Sequence, residues 1–340
     1  MTSTGDILDS IGMGNPGKVV TKHMSGMDHS GYTIPLPKSR ARQGYVFATR
    51  PQLNMSKWNL NASRKTIQLL TKENKSIGSW IRNTLDPRLG RNIPVTNNPT
   101  AKAFGEDMLD SNECPLVDEK SAFIPLLTNS MVSATGWPDK VMGKFTSNPN
   151  RYKDVYQQVD SAPNTREPLT IDITAVDTIG NPLFHLLDVW SDISMYTFSG
   201  EMEPYWDMVT QNEKDYEISF FRIVLDETGR FLERIIYTRP GFLEGLNQGH
   251  FYDFDKTTPY IAGGDTLNFR FSFPGAVYND PVLISVFNRT VIAFNQDMRE
   301  HVRKHKLRKI ASGSVDPQNN FKGYPRIDPV TLAFEWWVYK

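Results

Sequence analysis

In the stretch "LNFRFSF", Leu267, Phe269, Phe271 and Phe273 alternate with Asn268, Arg270 and Ser272. A period of two marks a strand with one buried face, and a slip of one residue would expose three phenylalanines. "PLTIDITAV" has the same form, with Leu169, Ile171, Ile173 and Ala175 on one face and Thr170, Asp172 and Thr174 on the other. "YEISFFRIVL" and "FLERIIYT" are two β-prone runs joined by "DETG" at 226–229, and Gly229 permits the positive φ of a short, bulged hairpin loop. "VLISVFNRTVIAF" continues the series as a further β-rich segment. "LAFEWWVYK" closes it, with Leu332, Phe334, Trp336 and Val338 opposite Ala333, Glu335, Trp337 and Tyr339.

One segment breaks the two-residue rhythm. In "NPLFHLLDVWSDISMY" the apolar positions Leu183, Leu186, Leu187, Trp190 and Ile193 repeat at helical spacing, Pro182 suits the first helical position and Asn181 can cap it. A lone helix among strands is expected to lie over an open face of a sheet sandwich, with Leu183, Leu187, Trp190 and Ile193 in the core. Trp190 and His185 could instead belong to a ligand site, the less economical reading.

The first half is less regular. "GYVFATRP" predicts a short strand stopped by Pro51, helix is expected near 62–71 and 76–85, and "NIPVTNNPTAKAFGEDMLDSNECP" reads as connection because Pro and Asn recur. "SAFIPLLTNSM" then supplies an apolar anchor. Residues 1–43, rich in Gly, Ser, Thr and Met with paired prolines, lack the periodic apolar content of a core and read as an extended arm. The fold class expected from the pattern is mostly β, of the α+β kind.

Composition narrows the function. The chain has 340 residues, 38 basic and 38 acidic side chains and so no net charge, which removes any overall field for nucleic acid or anionic membrane. Cys114 is the single cysteine, which excludes an intrachain disulfide and a multi-cysteine metal site and suits a reducing compartment. No leader pattern and no apolar run of about 18 residues occurs, so neither secretion nor membrane spanning is expected.

No phosphate-binding glycine loop occurs, "GMGNPGK" having the wrong spacing, and there is no nucleophile elbow. Cys114 sits in a polar, acidic stretch without the signature of an activated thiolate. His301 and His305 have i, i+4 spacing but no glutamate follows His301, and the surrounding positive charge disfavours a metal. Asp253 and Asp255 in "HFYDFDK" could bind calcium or act as a carboxylate pair, but read first as a solvated loop. No catalytic residue, metal or cofactor is expected. The largest charge feature is the run from Arg299 to Lys309, where six basic residues against Glu300 leave a local charge of plus five. Without interleaved aromatics it reads better as a helix docked on an acidic protein surface than as a phosphate binder.

The order of strand "PLTIDITAV", helix "NPLFHLLDVWSDISMY", hairpin "ISFFRIVLDETGRFLERIIY", a G-F-L turn and strand "LNFRFSFPGAVYNDP" resembles the tail-tube family of contractile-tailed bacteriophages, including longer relatives that initiate the tube at the baseplate. "GYVFATRPQLN" and "FIPLLTNS" are similar to stretches of virion structural proteins of large myoviruses; the resemblance covers about 44–60 and 121–290. It implies an antiparallel β-sandwich or barrel of the tail-tube type with a flanking Trp-containing helix and peripheral extensions. It further implies a ring of six copies whose strands join into an inner barrel, and stacked rings that pass genomic DNA without sequence-specific binding.

On that frame the chain divides into an arm at 1–43, a tail-tube-like β domain at 44–296 with an insertion at 52–120, and a basic helix with C-terminal strand at 297–340. The expected product is a non-enzymatic virion protein of the tail, assembled in the host cytoplasm. It would form a ring in the tube or at its baseplate junction and contact other tail or baseplate proteins but no membrane. Its additions over a simple tube subunit favour the baseplate position. Candidate interface residues are Trp336 and Trp337, with ordinary core packing as the alternative, and Arg303, Lys304 and Arg308 for electrostatic docking. The rivals are another virion part, such as a neck, wedge or sheath-associated protein, and a glycan-binding or glycan-cleaving β-sandwich.

Overall fold

The computed structural model describes residues 43–56, 59–60, 76–89, 114, 116–139, 142–163, 167–178, 180–211, 213–226, 229–249, 266–310 and 323–340. The expected arm up to residue 42, the helix near 62–71, most of the connection before Cys114 and the pair Asp253 and Asp255 lie outside them. The chain is mixed α and β, every strand pair described is antiparallel, and the described strands close no barrel.

The centre is a four-stranded sheet of β1 (Gln43–Ala48), β6 (Phe220–Leu225), β7 (Leu232–Thr238) and β10 (Ala276–Tyr278), in that order. The expected hairpin is β6 and β7, with Phe221 opposite Tyr237, a register shift at Leu225, and Gly229 at φ 65° in the turn. A second four-stranded sheet runs β2 (Met131–Thr135), β5 (Leu169–Val176), β9 (Thr266–Phe273) and β8 (Phe242–Leu246). β5 and β9 alternate buried and exposed positions as their sequences require, Ile171 lying opposite Phe271 and Ile173 opposite Phe269. The sheets meet through Phe220, whose ring centroid is 5.0 Å from those of both Phe271 and Phe273.

Helix α1 (Ile77–Leu85) agrees with the expectation near 76–85 and is capped by the Ser76 hydroxyl, which accepts from the Ser79 N–H at 3.1 Å. Helix α2 (Pro125–Ser130) occupies the "SAFIPLLTNSM" anchor. Helix α3 (Pro182–Ser199) closes the first core: Leu183, Leu186, Leu187, Trp190 and Ile193 are all buried, and Trp190 lies 5.6 Å from Phe271 and donates to the Tyr216 carbonyl at 3.3 Å. Its cap differs from expectation. Asn181 is left-handed, with φ 48°, and makes no side-chain cap. The buried Asp177 carboxylate instead accepts from the Leu183 and Phe184 N–H groups at 3.1 and 2.9 Å, because a carboxylate four residues upstream can loop back to the orphan amides and favour the positive helix end.

The short helix α4 (Trp206–Gln211) is fixed by a polar cluster at its start. Tyr205 donates to Asp86 at 2.7 Å, and Arg88 pairs with Asp207 at 2.7 Å while lying 4.3 Å over the Tyr205 ring. The hydrogen bond from Arg88 holds the Asp207 carboxyl below its ordinary pKa, whereas burial pushes Asp86 up.

The other face of the central sheet carries a second core. The segment expected as a strand at 282–294 is helix α5 (Val282–Phe294). Its buried residues Leu283, Ile284, Phe287 and Val291 recur at helical spacing, so burial against the sheet overrides the β-propensity of its valines and isoleucines. Phe287 stands 5.5, 5.3 and 5.3 Å from Phe47, Phe123 and Phe221. A three-residue turn at Gln296–Met298 leads to α6 (Glu300–Lys306), then β11 (Leu307–Lys309), β12 (Tyr324–Ile327) and β13 (Phe334–Tyr339). These strands form a three-stranded sheet with β13 in the middle. The Asn288 side chain of α5 donates to the Ile327 carbonyl at 2.7 Å and accepts from the Ile327 N–H at 3.0 Å, taking the place of a strand at that edge.

Candidate assembly interface

Strands β3 (Met142–Thr146) and β4 (Gln157–Pro163) pair only with each other among the described residues. No described residue from 142 to 160 is buried, and Met142, Phe145, Tyr152, Tyr156 and Val159 are each more than half exposed, Tyr152 at 82%. A two-stranded hairpin is marginal on its own, and large apolar side chains on both faces of one call for cover from outside.

The hairpin is nevertheless well organised within itself. The Asn150 side-chain oxygen accepts from the N–H groups of Tyr152 and Asp154, each at 2.9 Å, and Lys153 takes the left-handed conformation at φ 65°. Ser147 and Tyr156 close the loop reciprocally, Ser147 N–H to the Tyr156 carbonyl and Tyr156 N–H to the Ser147 hydroxyl, both at 2.9 Å. Such bonds shape a presented surface without burying it.

The hairpin leaves the body beside β2, whose Val132 is 66% exposed. At the junction Gly136 has φ 95°, and a side chain there would collide with the Thr170 carbonyl. Among the described residues the outer edges of β2 and β8 carry no strand, so two rows of backbone donors and acceptors stand open in the sheet nearest the hairpin. The outward face of that sheet is polar, with Asp172 and Arg270 paired at 2.7 Å and Thr174 donating to Asn268 at 2.8 Å.

The residues singled out from the sequence fall elsewhere. Trp336 and Trp337 are 3% and 8% exposed and belong to the second core; Trp336 meets Tyr45 edge-on at 5.7 Å, so their surroundings in the chain are those of ordinary packing. Arg303 is also buried, 4.9 Å over the Trp337 ring, and donates to the Met298 carbonyl at 3.2 Å; burial lowers its pKa. Lys304 and Arg308 are exposed. Within the basic run Lys306 pairs with Asp297 at 2.7 Å and Lys309 with Glu335 at 2.9 Å. Glu335 also accepts from Arg326 at 3.1 Å and from the Trp337 indole at 2.9 Å. Burial raises its pKa, but these donors outweigh burial and hold the carboxyl below the usual value. His301 and His305 are exposed, Cys114 is buried, and no group of three potential metal ligands occurs among the described residues. No helix of the described residues is long and apolar enough to cross a membrane.

Sequence reasoning passed over the hairpin. Its signals were there, the β-prone "MGKFT" and the turn-forming "NPNRYKD", but apolar residues on both faces leave no one-sided alternation to detect.

The described residues thus present open sheet edges and an uncovered apolar hairpin, and no group of three potential metal ligands. The family model described as "Putative phage tail tube protein" matches residues 2–340, and the chain belongs to that family. It is thus a structural protein of the phage tail. No curated protein matches the sequence. Two solved structures are similar to part of it: the anti-feeding prophage cap, the AFP tube terminating cap, at TM-score 0.29 and 10% identity over 46% of this chain and 82% of that one, and the PVC sheath/tube terminator of an extracellular contractile injection system in the extended state, at TM-score 0.27 and 10% identity over 46% and 87%.

Proposed function

We propose that the chain is a non-enzymatic ring subunit of the tail tube or of its baseplate junction, completed by copies of itself. The observation that carries this reading is the hairpin β3–β4, an ordered ribbon whose apolar side chains have no cover within the described chain. The edges of β2 and β8 are suited to pair between neighbours into a continuous barrel of the tail-tube type, and the hairpin to lie against the next subunit. The polar outward face of that sheet, its charges neutralised in the Asp172–Arg270 pair, suits a channel that DNA slides through without being held. Six copies is the stoichiometry the family resemblance implies. The arm and the 52–120 insertion are the parts assigned to neighbouring tail proteins, and Lys304 and Arg308 are exposed charges for docking on a neighbouring subunit.

The test is imaging and mass measurement of the purified full chain beside a Phe145→Ser/Tyr156→Ser double variant. The wild type is expected to form closed rings as concentration rises, and the variant to stay monomeric with an unchanged melting temperature. Equal assembly by both would remove the hairpin from the interface, and a wild type that never associates would refute the ring.

A further inference from the structure

We propose that successive copies meet through two unlike surfaces, the apolar, acid-rimmed outer face of α3 and α4 on one copy and the basic face around α6 and β11 on the next. The inference rests on the ring reading above and names the contact within it.

The first surface is a pair of helices with an uncovered side. Met195 and Phe198 stand three residues apart on α3 and are 56% and 92% exposed; Trp206 and Val209 repeat the spacing on α4 at 47% and 49%. Apolar side chains this open, on consecutive helices, are a contact surface in want of an occupant. The charge around them is of one sign. Residues 181–213 hold six acidic side chains and no lysine or arginine, a local charge of minus six. Asp207 is taken by Arg88, and the Gln248 amide donates to Asp188. Glu201, Glu203 and Glu213 remain exposed and make no ion pair among the described residues.

The second surface is what remains of the basic run after its own fold has used half of it. Arg303 is stacked on Trp337, Lys306 is held by Asp297 and Lys309 by Glu335. Arg299, Lys304 and Arg308 are exposed and make no ion pair among the described residues. Three exposed cations around α6 and β11 therefore match three exposed anions in the segments flanking α4, in a chain whose net charge is zero.

Their placement selects a second copy as the occupant. Helix α3 packs in the core on one side of the central sheet, whereas β11 and β13 pack in the core on the other side. Two complementary patches on opposite flanks give a head-to-tail contact, the kind that closes into a ring when the rotation permits. The apolar side chains supply the attraction, and the charges set the direction of travel and exclude head-to-head pairing.

The experiment uses the full chain and two charge-reversed versions of it, one carrying Glu201→Lys, Glu203→Lys and Glu213→Lys, the other Arg299→Glu, Lys304→Glu and Arg308→Glu. Each reversed chain alone is expected to weaken self-association by about 100-fold or more in mass photometry, and an equimolar mixture of the two to recover it to within about tenfold of wild type. Phe198→Ser, at a position too exposed to matter for folding, is expected to weaken association while leaving the melting temperature unchanged. If the wild type forms rings and the reversed chains form them equally well, the contact lies elsewhere and only this inference falls. Loss without recovery on mixing means that the charges serve a different protein or a nucleic acid, and also overturns it. A wild type that remains a monomer refutes the ring reading and this contact with it.

Discussion

The C-terminal sheet and the β3–β4 hairpin are alike in composition and opposite in circumstance. Both are small antiparallel units bearing aromatic side chains on more than one face. Around β13 both indoles have a second layer to enter, with only Tyr339 at the strand's end exposed: Trp336 meets Tyr45 and Phe334, and Trp337 lies under Arg303. On the hairpin, Phe145, Tyr152 and Tyr156 meet no ring of the described chain and stay exposed. Aromatic content in a strand thus records that burial is needed, and only the arrangement of layers decides whether it happens within one chain or between chains.

The sharpest way to break this contrast is to delete an indole. Trp336→Ala is expected to cost about 3–5 kcal/mol in urea unfolding of the monomer, because the cavity opens in a core with no slack. A cost under about 1 kcal/mol would mean that the second core is not the closed layer described. Asp215 is the next largest. Its carboxyl is buried and the Oδ2 atom has no partner, and burial pushes its pKa up to about 6. A carboxyl whose folded pKa lies above its unfolded 3.8 binds more protons when folded, so stability falls as pH rises from about 4 to about 6 and the loss persists above that. Asp215→Asn should add roughly 1–3 kcal/mol at pH 7 and flatten that part of the curve.

Glu335→Gln probes the other sign. Glu335 titrates below its ordinary 4.5, so its contribution is present above that pH and is lost as pH falls through the folded value. The substitution should cost about 1–2 kcal/mol at pH 7, less than for a fully buried pair because Lys309 is half exposed, and should cost nothing well below pH 4. The smallest effect is expected on the hairpin: Phe145→Ser with Tyr156→Ser should change monomer stability by less than about 0.5 kcal/mol, since both side chains are more than half exposed. A large loss there would make the hairpin part of the core and erase the distinction.

What could be read in advance follows the same division. Strands β5 and β9 were legible because each has one wet face and one dry face, and β6–β7 because Gly229 marks the turn between two runs. Helix α3 was legible from its stripe, while its cap was not, since Asp177 acts from outside the segment through a loop whose course no periodicity reports. Helix α5 was misread because valine and isoleucine suit strands locally, and the decisive fact, a neighbouring sheet to cover Leu283, Phe287 and Val291, is tertiary. Arg303 looked like surface charge by residue type but is carried inward by the turn of α6 onto Trp337. The candidate interface was the least legible part, because a surface that waits for a partner has no inside and outside until the partner comes.

The amide of Asn288 gives the C-terminal sheet a further property. By satisfying both backbone groups of Ile327 it plugs that border with a side chain, much as a terminator plugs a polymer end, and the opposite border, β11, offers only three residues. Ribbon growth by recruitment of foreign chain is therefore starved at both borders of this sheet.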